Sequence, residues 1–443
     1  MSAQAISTLS RSRGEPEWLT AQRLSALSRA LETPAPTRST EGWRRTDLTG
    51  LDLDSVLRRS EPPIAGAALR ATATAGDSSG IETAGELRLT DEYAALRSLA
   101  ADLESKGVLL LPMDEAVRSH PELLRLGLTE PGPNASRIEL LNAALWTAGI
   151  FVYAPRGVTV GRPLLGHVRA ASGAPVLFRN VIVAGEGAEL TYVDQHDSAD
   201  ASLEPVVIGA VDIVTGQASR VRYANLQSAS TGTWFFNHLR SHQGRDSRVD
   251  WLLVGVGGRL HRAELEAGLD GQGSETDILG LVFGDGKQHF DHQTTQNHVG
   301  NDSQSDLDIK AALAGESSSN FTGMIRVNKT TLRTSSNLEN RNLLLSDSSH
   351  AESDPRLEIL NSDVVRCAHG ATVGPLDKEM IFYIQSRGVP ADEAQRLVVE
   401  AFFEPVLQKI PVESLRLDVW RTIQRKLGRT VSATDRPSDI LAD

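Results

Sequence analysis

The sequence predicts a mainly β protein with helical regions at both ends, and three observations carry that prediction. Between about Gly149 and Gly374, short runs of β character follow one another at intervals of roughly 10 to 20 residues, with no convincing helix between them. Most of these runs are bounded by Gly, Asn, Asp or Ser, and several alternate apolar with polar residues, as in Arg220-Val221-Arg222-Tyr223 and Ser247-Arg248-Val249-Asp250-Trp251. The flanking stretches instead space their apolar residues at helical intervals. Three regions follow: 1–148, helical with flexible segments; 149–374, the β core; and 375–443, helical again.

In the first region, Glu17–Leu31 and Asp91–Lys106 carry helical spacing, the latter through Tyr93, Leu96, Leu99 and Leu103. His120-Pro121-Glu122 places a proline where a helix can start, and Ser136–Thr147 reads as another short helix. Pro62–Gly85, rich in Ala, Thr, Gly and Ser, reads as a mobile loop, and residues 1 to about 14 as disordered.

The core runs include Val176–Val183, Glu189–Val193, Val206–Val214, Val249–Val256, Leu307–Leu313, Phe321–Val327 and Val364–Cys367. A β stretch this long must close, stack or repeat to avoid exposed edges. No strict sequence period emerges, so a solenoid and a pair of sandwiches both remain open on patterning alone. In the last region, Asp377–Ser386 starts a helix ended by Arg387-Gly388, and Pro390 opens a second with Ala394, Leu397, Val398, Ala401 and Phe402 on one face. Pro405 should kink or end it, and a third helix after Pro411 carries Val412, Leu415, Val419, Ile423 and Leu427. These stripes either pack on one another and the β body or leave part of their surface for a partner.

Composition narrows function. The 443 residues carry a net charge of −12, so no global basic field exists to hold nucleic acid or an anionic membrane. Met1–Leu19 lacks the apolar core of a secretory signal, and Val108–Met113 and Leu397–Phe403 fall far short of the roughly 20 residues that span a bilayer. The single cysteine, Cys367, excludes an intrachain disulfide, and together these features point to a cytoplasmic protein. An iron–sulfur cluster takes about four ligands, mostly thiolates, so this chain could not hold one alone.

Two constellations could carry chemistry. In His289-Phe290-Asp291-His292, followed by His298, strand alternation turns His289 and Asp291 to one side and His292 to the other. Such a group suits zinc or iron, or is a set of hydrogen-bonded side chains on a polar face. In Val364–Thr372, Cys367 and His369 fall on the same face of an extended chain, which suits a soft or borderline metal; each alone is ordinarily a buried thiol or a satisfied imidazole. Gly284-Asp285-Gly286-Lys287-Gln288 lacks the glycine spacing and the Ser/Thr of a nucleotide loop, so any nucleotide would belong to a partner.

The run Asp363-Val-Val-Arg-Cys-Ala-His-Gly-Ala-Thr-Val-Gly374, with Asn342–Ser346 and Pro355–Ile359 before it and Ile381–Ile384 and Ser386–Val389 after it, resembles the SufB/SufD family of the bacterial SUF machine, and its D-type branch in particular. His289–His292, Thr294, His298, Lys310 and Gly323–Val327 are similar to the core both branches share, and the resemblance covers roughly residues 150 to 410. It implies a right-handed parallel β-helix flanked by helices, and a scaffold subunit that catalyses nothing itself. It implies pairing with a SufB paralogue through the β-helices and docking of a SufC ABC-type ATPase on the C-terminal helices. It also implies that His369 is a ligand of a transient iron–sulfur cluster, or of iron, shared with SufB at the interface, with Cys367 beside it. Rival readings are a SufB-type subunit, which the one cysteine disfavours, a homodimer acting in iron acquisition, and a β-helix enzyme of polysaccharide, which the missing signal and the helical end disfavour.

Overall fold

Strands such as Arg220–Gln227 and Arg248–Gly255 open with accessible and buried residues in alternation, as a strand with one face on a core must. In the computed structural model, which describes residues 2–58, 83–91, 93–432 and 435, these runs wind into a parallel β-helix. Successive strands go alternately to two sheets. Among the described residues, sheet A has ten strands, from Val364–Pro375 at one edge to the antiparallel hairpin Gly85–Thr90 and Tyr93–Leu99 at the other. Sheet B has nine, from His350–Ile359 to Leu109–Pro112, which pairs antiparallel with Ile150–Ala154.

The winding explains why no strict period is visible. Trp234 pairs with Leu260, 26 residues on, whereas Ser318 pairs with His350, 32 residues on. What repeats is a backbone conformation at one corner: Gly157, Gly187, Ala218, Asp246, Gly273, Asp302 and Arg333 all have φ between 54° and 71°. In each case the residue's N–H donates to a carbonyl of the next rung, as from Gly187 to Gln217 at 2.8 Å and from Arg333 to Asp363 at 2.9 Å. Glycine takes this left-handed turn without cost, but four of the seven positions hold residues with a side chain, so composition conceals the corner.

The interior is a continuous apolar column that includes Ile182, Val211, Leu239 and Phe321 from sheet B and Leu190, Val221, Trp251, Ile278 and Leu338 from sheet A. Early strands are covered on the outside as well. Val176–Ala184 is buried at every position, because its outward residues meet the N-terminal helices. Those helices, chiefly Glu17–Glu32 and Arg137–Leu145, sit on sheet B through Leu27, Ile138, Leu141, Val181, Ile208 and Phe236. The C-terminal helices Ala391–Leu407 and Glu413–Lys426 sit on sheet A, where Phe403, Val406, Trp420 and Ile423 meet Leu226, Leu252, Val254 and Phe283.

Several expectations need correction. Ala3–Arg13, expected to be disordered, is a helix whose Ile6 and Leu9 are buried, and the Arg13 guanidinium donates to the Thr147 carbonyl at 2.9 Å. Within Asp91–Lys106, Tyr93–Leu99 is a strand and only Ala101–Ser105 is helical. The left-handed turn at Asp91, φ 53°, returns the chain along Gly85–Thr90, and the free edge of that strand outweighs a helical spacing made by four residues. Of the expected loop Pro62–Gly85, residues 62–82 lie outside the described residues, and Gly85 opens a strand. The face of Ala391–Leu407 is also rotated: Ala401 is exposed, whereas Val399, Phe403, Val406 and Leu407 are buried.

Candidate functional site

The last strand of each sheet has a pairing partner on one edge alone. Strand His350–Ile359 pairs with Ser318–Val327, and Val364–Pro375 pairs with Thr334–Leu344; no described strand lies beyond either. Register then fixes which residues face the interior column. Leu357 and Ile359 lie beside Ile325 and Val327, both fully buried in the column, yet Leu357 itself is 40% exposed. On the facing strand, Cys367 lies beside Ser336 and His369 beside Leu338, a fully buried member of the column. The interior row of the β-helix therefore ends at its open mouth in Leu357 and Ile359 on one side and Cys367, His369 and Val373 on the other.

A register irregularity precedes these residues. Thr334 pairs with Val364 but Ser335 with Arg366, so Val365 is left unpaired and is 72% exposed. The extra residue sets the parity that puts Cys367 and His369 over the inward row. They stand about 7 Å apart along the strand at roughly 3.3 Å per residue. Cys367 is half-buried against the interior column, and that burial raises its thiol pKa. His369 is exposed.

No group of three or more His, Cys, Asp or Glu side chains among the described residues is arranged to hold a metal. Cys367 and His369 thus offer at most two donors from this chain, one soft and one borderline, and any further ligands would have to come from elsewhere.

The second constellation resolves into structural contacts. His289 and Asp291 do share the outer side of sheet B and His292 turns inward, as strand alternation requires. His289 Nδ1 lies 2.7 Å from Ser318 Oγ, and Asn320 Nδ2 donates to its Nε2 at 3.3 Å. Asp291 accepts from Arg262, Thr46 and Gln293. His292 packs edge-on against His261 inside the column, with ring centroids 5.2 Å apart. His298 lies between the hydroxyls of Ser303 and Ser305 at 2.8 and 2.9 Å. Burial pushes the pKa of His292 and of His298 down to about 4, so both rings stay neutral near pH 7.

Sequence reasoning did not find two features. One is the bareness of helix Lys378–Gln385, which follows the last strand directly, buries none of its residues and leaves Phe382 71% exposed. Its helical pattern is plain, but nothing local says that no other element covers it. The other is a strap, residues 38–49, that crosses sheet B to reach the open mouth. Trp43 packs against Phe236 and beneath the Arg262 guanidinium, at 3.7 Å; the Arg45 carbonyl accepts from Asn320 at 3.1 Å, and the Arg45 guanidinium pairs with Glu352 on the last strand.

Comparison with known proteins places this geometry in a family. Residues 167–402 match the family model described as SUF system FeS cluster assembly, SufBD core domain. The iron-sulfur cluster assembly protein SufD of Bacillus subtilis (strain 168) is 28% identical over 430 residues, covering 95% of this chain and 97% of the relative. The iron-sulfur cluster assembly protein SufB of the same strain is 24% identical over 427 residues, covering 93% of this chain and 90% of the relative. An iron-sulfur cluster assembly SufBD family protein of Staphylococcus epidermidis (strain ATCC 12228) is 26% identical over 425 residues, covering 92% and 89%. The family match spans more than half of the chain, and the chain belongs to the SufBD core family of the SUF system. Among the described residues, no helix is long and apolar enough to cross a membrane.

Proposed function

We propose that this member of the SufBD core family is the D-type scaffold subunit of the SUF assembly machine. In this reading its open β-helix mouth pairs with a SufB-type paralogue, and a nascent cluster or iron forms at the junction. One observation carries the proposal: the interior apolar row runs uncovered out of the mouth through Leu357 and Val373 and has Cys367 and His369 set into it. Unpaired strand edges joined to exposed apolar side chains are a surface that soluble proteins ordinarily cover.

At such a junction the His369 imidazole donates to iron, and thiolates of the paralogue with sulfide complete the coordination. Cys367, raised in pKa by burial, is the less available donor, which ranks it below His369. The D-type assignment over the B-type rests on the single cysteine and on the slightly higher identity to the SufD relative. The exposed apolar helix Lys378–Gln385 supports docking of a SufC-type ATPase, whose nucleotide cycle would open and close the neighbouring mouth. The chain itself acts as a rigid platform with no catalytic residue, and it works in the cytoplasm.

The test is an anaerobically purified complex of this chain with a SufB-type paralogue and a SufC-type ATPase, assayed for iron and sulfide per complex. His369→Ala should lower cluster content by roughly tenfold with the subunits still associated, and Cys367→Ser should lower it less. Equal cluster content in the wild type and His369→Ala would sink the ligand role. Recovery of the chain only as its own dimer would replace the heteromeric reading with a homodimeric one.

A further inference from the structure

Between the strap and the outer face of sheet B lies a cleft of about 520 Å³, within the roughly 300–1,000 Å³ range of small-molecule sites. Its walls carry five cationic side chains, Arg38, Arg44, Arg45, Arg259 and Lys287, against two carboxylates, Asp47 and Glu352. That excess of three positive charges stands out in a chain of net charge −12. It also arises from separate pieces of chain, the strap and the corners before two successive sheet-B strands, Leu260–Leu269 and His289–His298, brought together only by folding.

The cations are available. Arg38 and Arg44 are exposed and make no ion pair among the described residues. Lys287 reaches Glu316 at 3.7 Å and Arg259 reaches Glu204 at 3.6 Å, both between largely exposed groups, a class of pair that contributes little and exchanges readily. The floor supplies neutral donors: the His289–Ser318 pair and Asn320, whose amide already bridges the Arg45 carbonyl and the His289 ring. Arg259 covers the Trp234 ring at 4.7 Å, so the cleft offers no free aromatic face to a nucleobase. Its enclosure by the strap, and the net negative charge outside it, favour a small ligand over a membrane or nucleic acid.

We propose that this cleft binds a small polyanion, a molecule bearing two or more phosphate or carboxylate groups. Bound there, it would sit beside Arg45, whose guanidinium also pairs with Glu352 on the last strand of sheet B, and so would touch the contact that joins the strap to the open mouth.

The experiment is calorimetric titration of the full-length chain with pyrophosphate and, separately, citrate at low ionic strength. The Arg38→Ala/Arg44→Ala variant is compared with Arg220→Ala/Arg222→Ala, which removes the same charge from exposed positions on sheet A. The cleft variant should bind about tenfold or more weakly and the control as the wild type does. Binding of pyrophosphate alone assigns a phosphate ligand, and of citrate alone a carboxylate one. No binding of either at millimolar concentration, or equal weakening in both variants, overturns the proposal.

Discussion

The two ends of the β-helix are built by opposite rules. At the start, each sheet finishes in an antiparallel strand, Tyr93–Leu99 for sheet A and Leu109–Pro112 for sheet B. Ala84, Leu87, Leu103, Val108 and Leu110 fill the interior column there. At the other end the column stops at two parallel strands, with no described strand folded back antiparallel beyond them, and Leu357, Ile359, Val365 and Val373 stay exposed. Solenoids need capping at both ends to stay soluble; among the described residues only the first end is capped, and in the proposed function another molecule completes the second. The difference supports the proposed partner surface without reference to any relative.

The sharpest way to break this comparison is to place the same charge at each end. Leu110 is fully buried, so Leu110→Asp puts an unpaired carboxylate into the column and should cost about 4 kcal/mol or more, enough to prevent folding or drop Tm steeply. Leu357→Asp should leave the Tm of the isolated chain within a few degrees of wild type, because water already reaches that side chain. Its effect should appear as loss of co-elution with a SufB-type paralogue in size-exclusion chromatography. An unchanged complex with Leu357→Asp would mean that the mouth is not the pairing surface, and a Tm collapse would mean that it is not open.

A smaller effect separates the interior histidines from the mouth. His292 and His298 have folded pKa values near 4 because burial opposes their charge, against about 6.5 in an unfolded chain. Above pH 6.5 neither state binds the proton, and stability is unaffected. Between 6.5 and 4 the unfolded state takes up protons that the folded state refuses, so each ring removes stability as pH falls, on the order of 3 kcal/mol at the lower limit. Urea midpoints should therefore drop between pH 7.5 and 5.0, and His298→Gln, which can still serve a serine hydroxyl, should reduce that drop. An identical pH dependence in the variant would show that His298 titrates alike in the folded and unfolded states, as a solvated ring would.

How much of this is written in the sequence differs along the chain. The strand runs of the core and the last helix are legible: of the predicted stripe, Val412, Leu415, Val419 and Ile423 are buried and Leu427 is partly buried, so of the two alternatives this face packs on the β body. The winding of the runs is not legible from periodicity, since the rungs differ in length and the left-handed corner is filled by Ala218, Asp246, Asp302 and Arg333 as readily as by glycine. The resemblance to a known family supplied the β-helix where patterning left two architectures open. Cys367 and His369 could be picked out as neighbours on one strand face, but their position at an uncovered mouth could not. Openness is a statement about which elements are missing, and no local pattern encodes it. The strap escapes the sequence for a related reason: Trp43, Arg45 and Thr46 carry no periodic pattern, and their contacts exist only once sheet B is present for them to cross.

The strap also supplies the finest test of the comparison, because it runs from the covered part of sheet B to the bare end. Its inner contacts are buried: Arg262, set over Trp43, is held by Asp291 and Glu264, which together outweigh burial and raise its pKa. Its outermost contact, Arg45 with Glu352, joins two side chains about 40% exposed, and such pairs contribute at most about 1 kcal/mol. Arg45→Ala should accordingly shift the urea midpoint by less than that equivalent, and 0.5 M salt should erase the shift. Hydrogen exchange should still report a local change, with faster exchange confined to His350–Ile359 while Leu260–Leu269 keeps its protection. Faster exchange across both strands would mean that the strap is one cooperative unit and that the last rung is held as firmly as the covered ones.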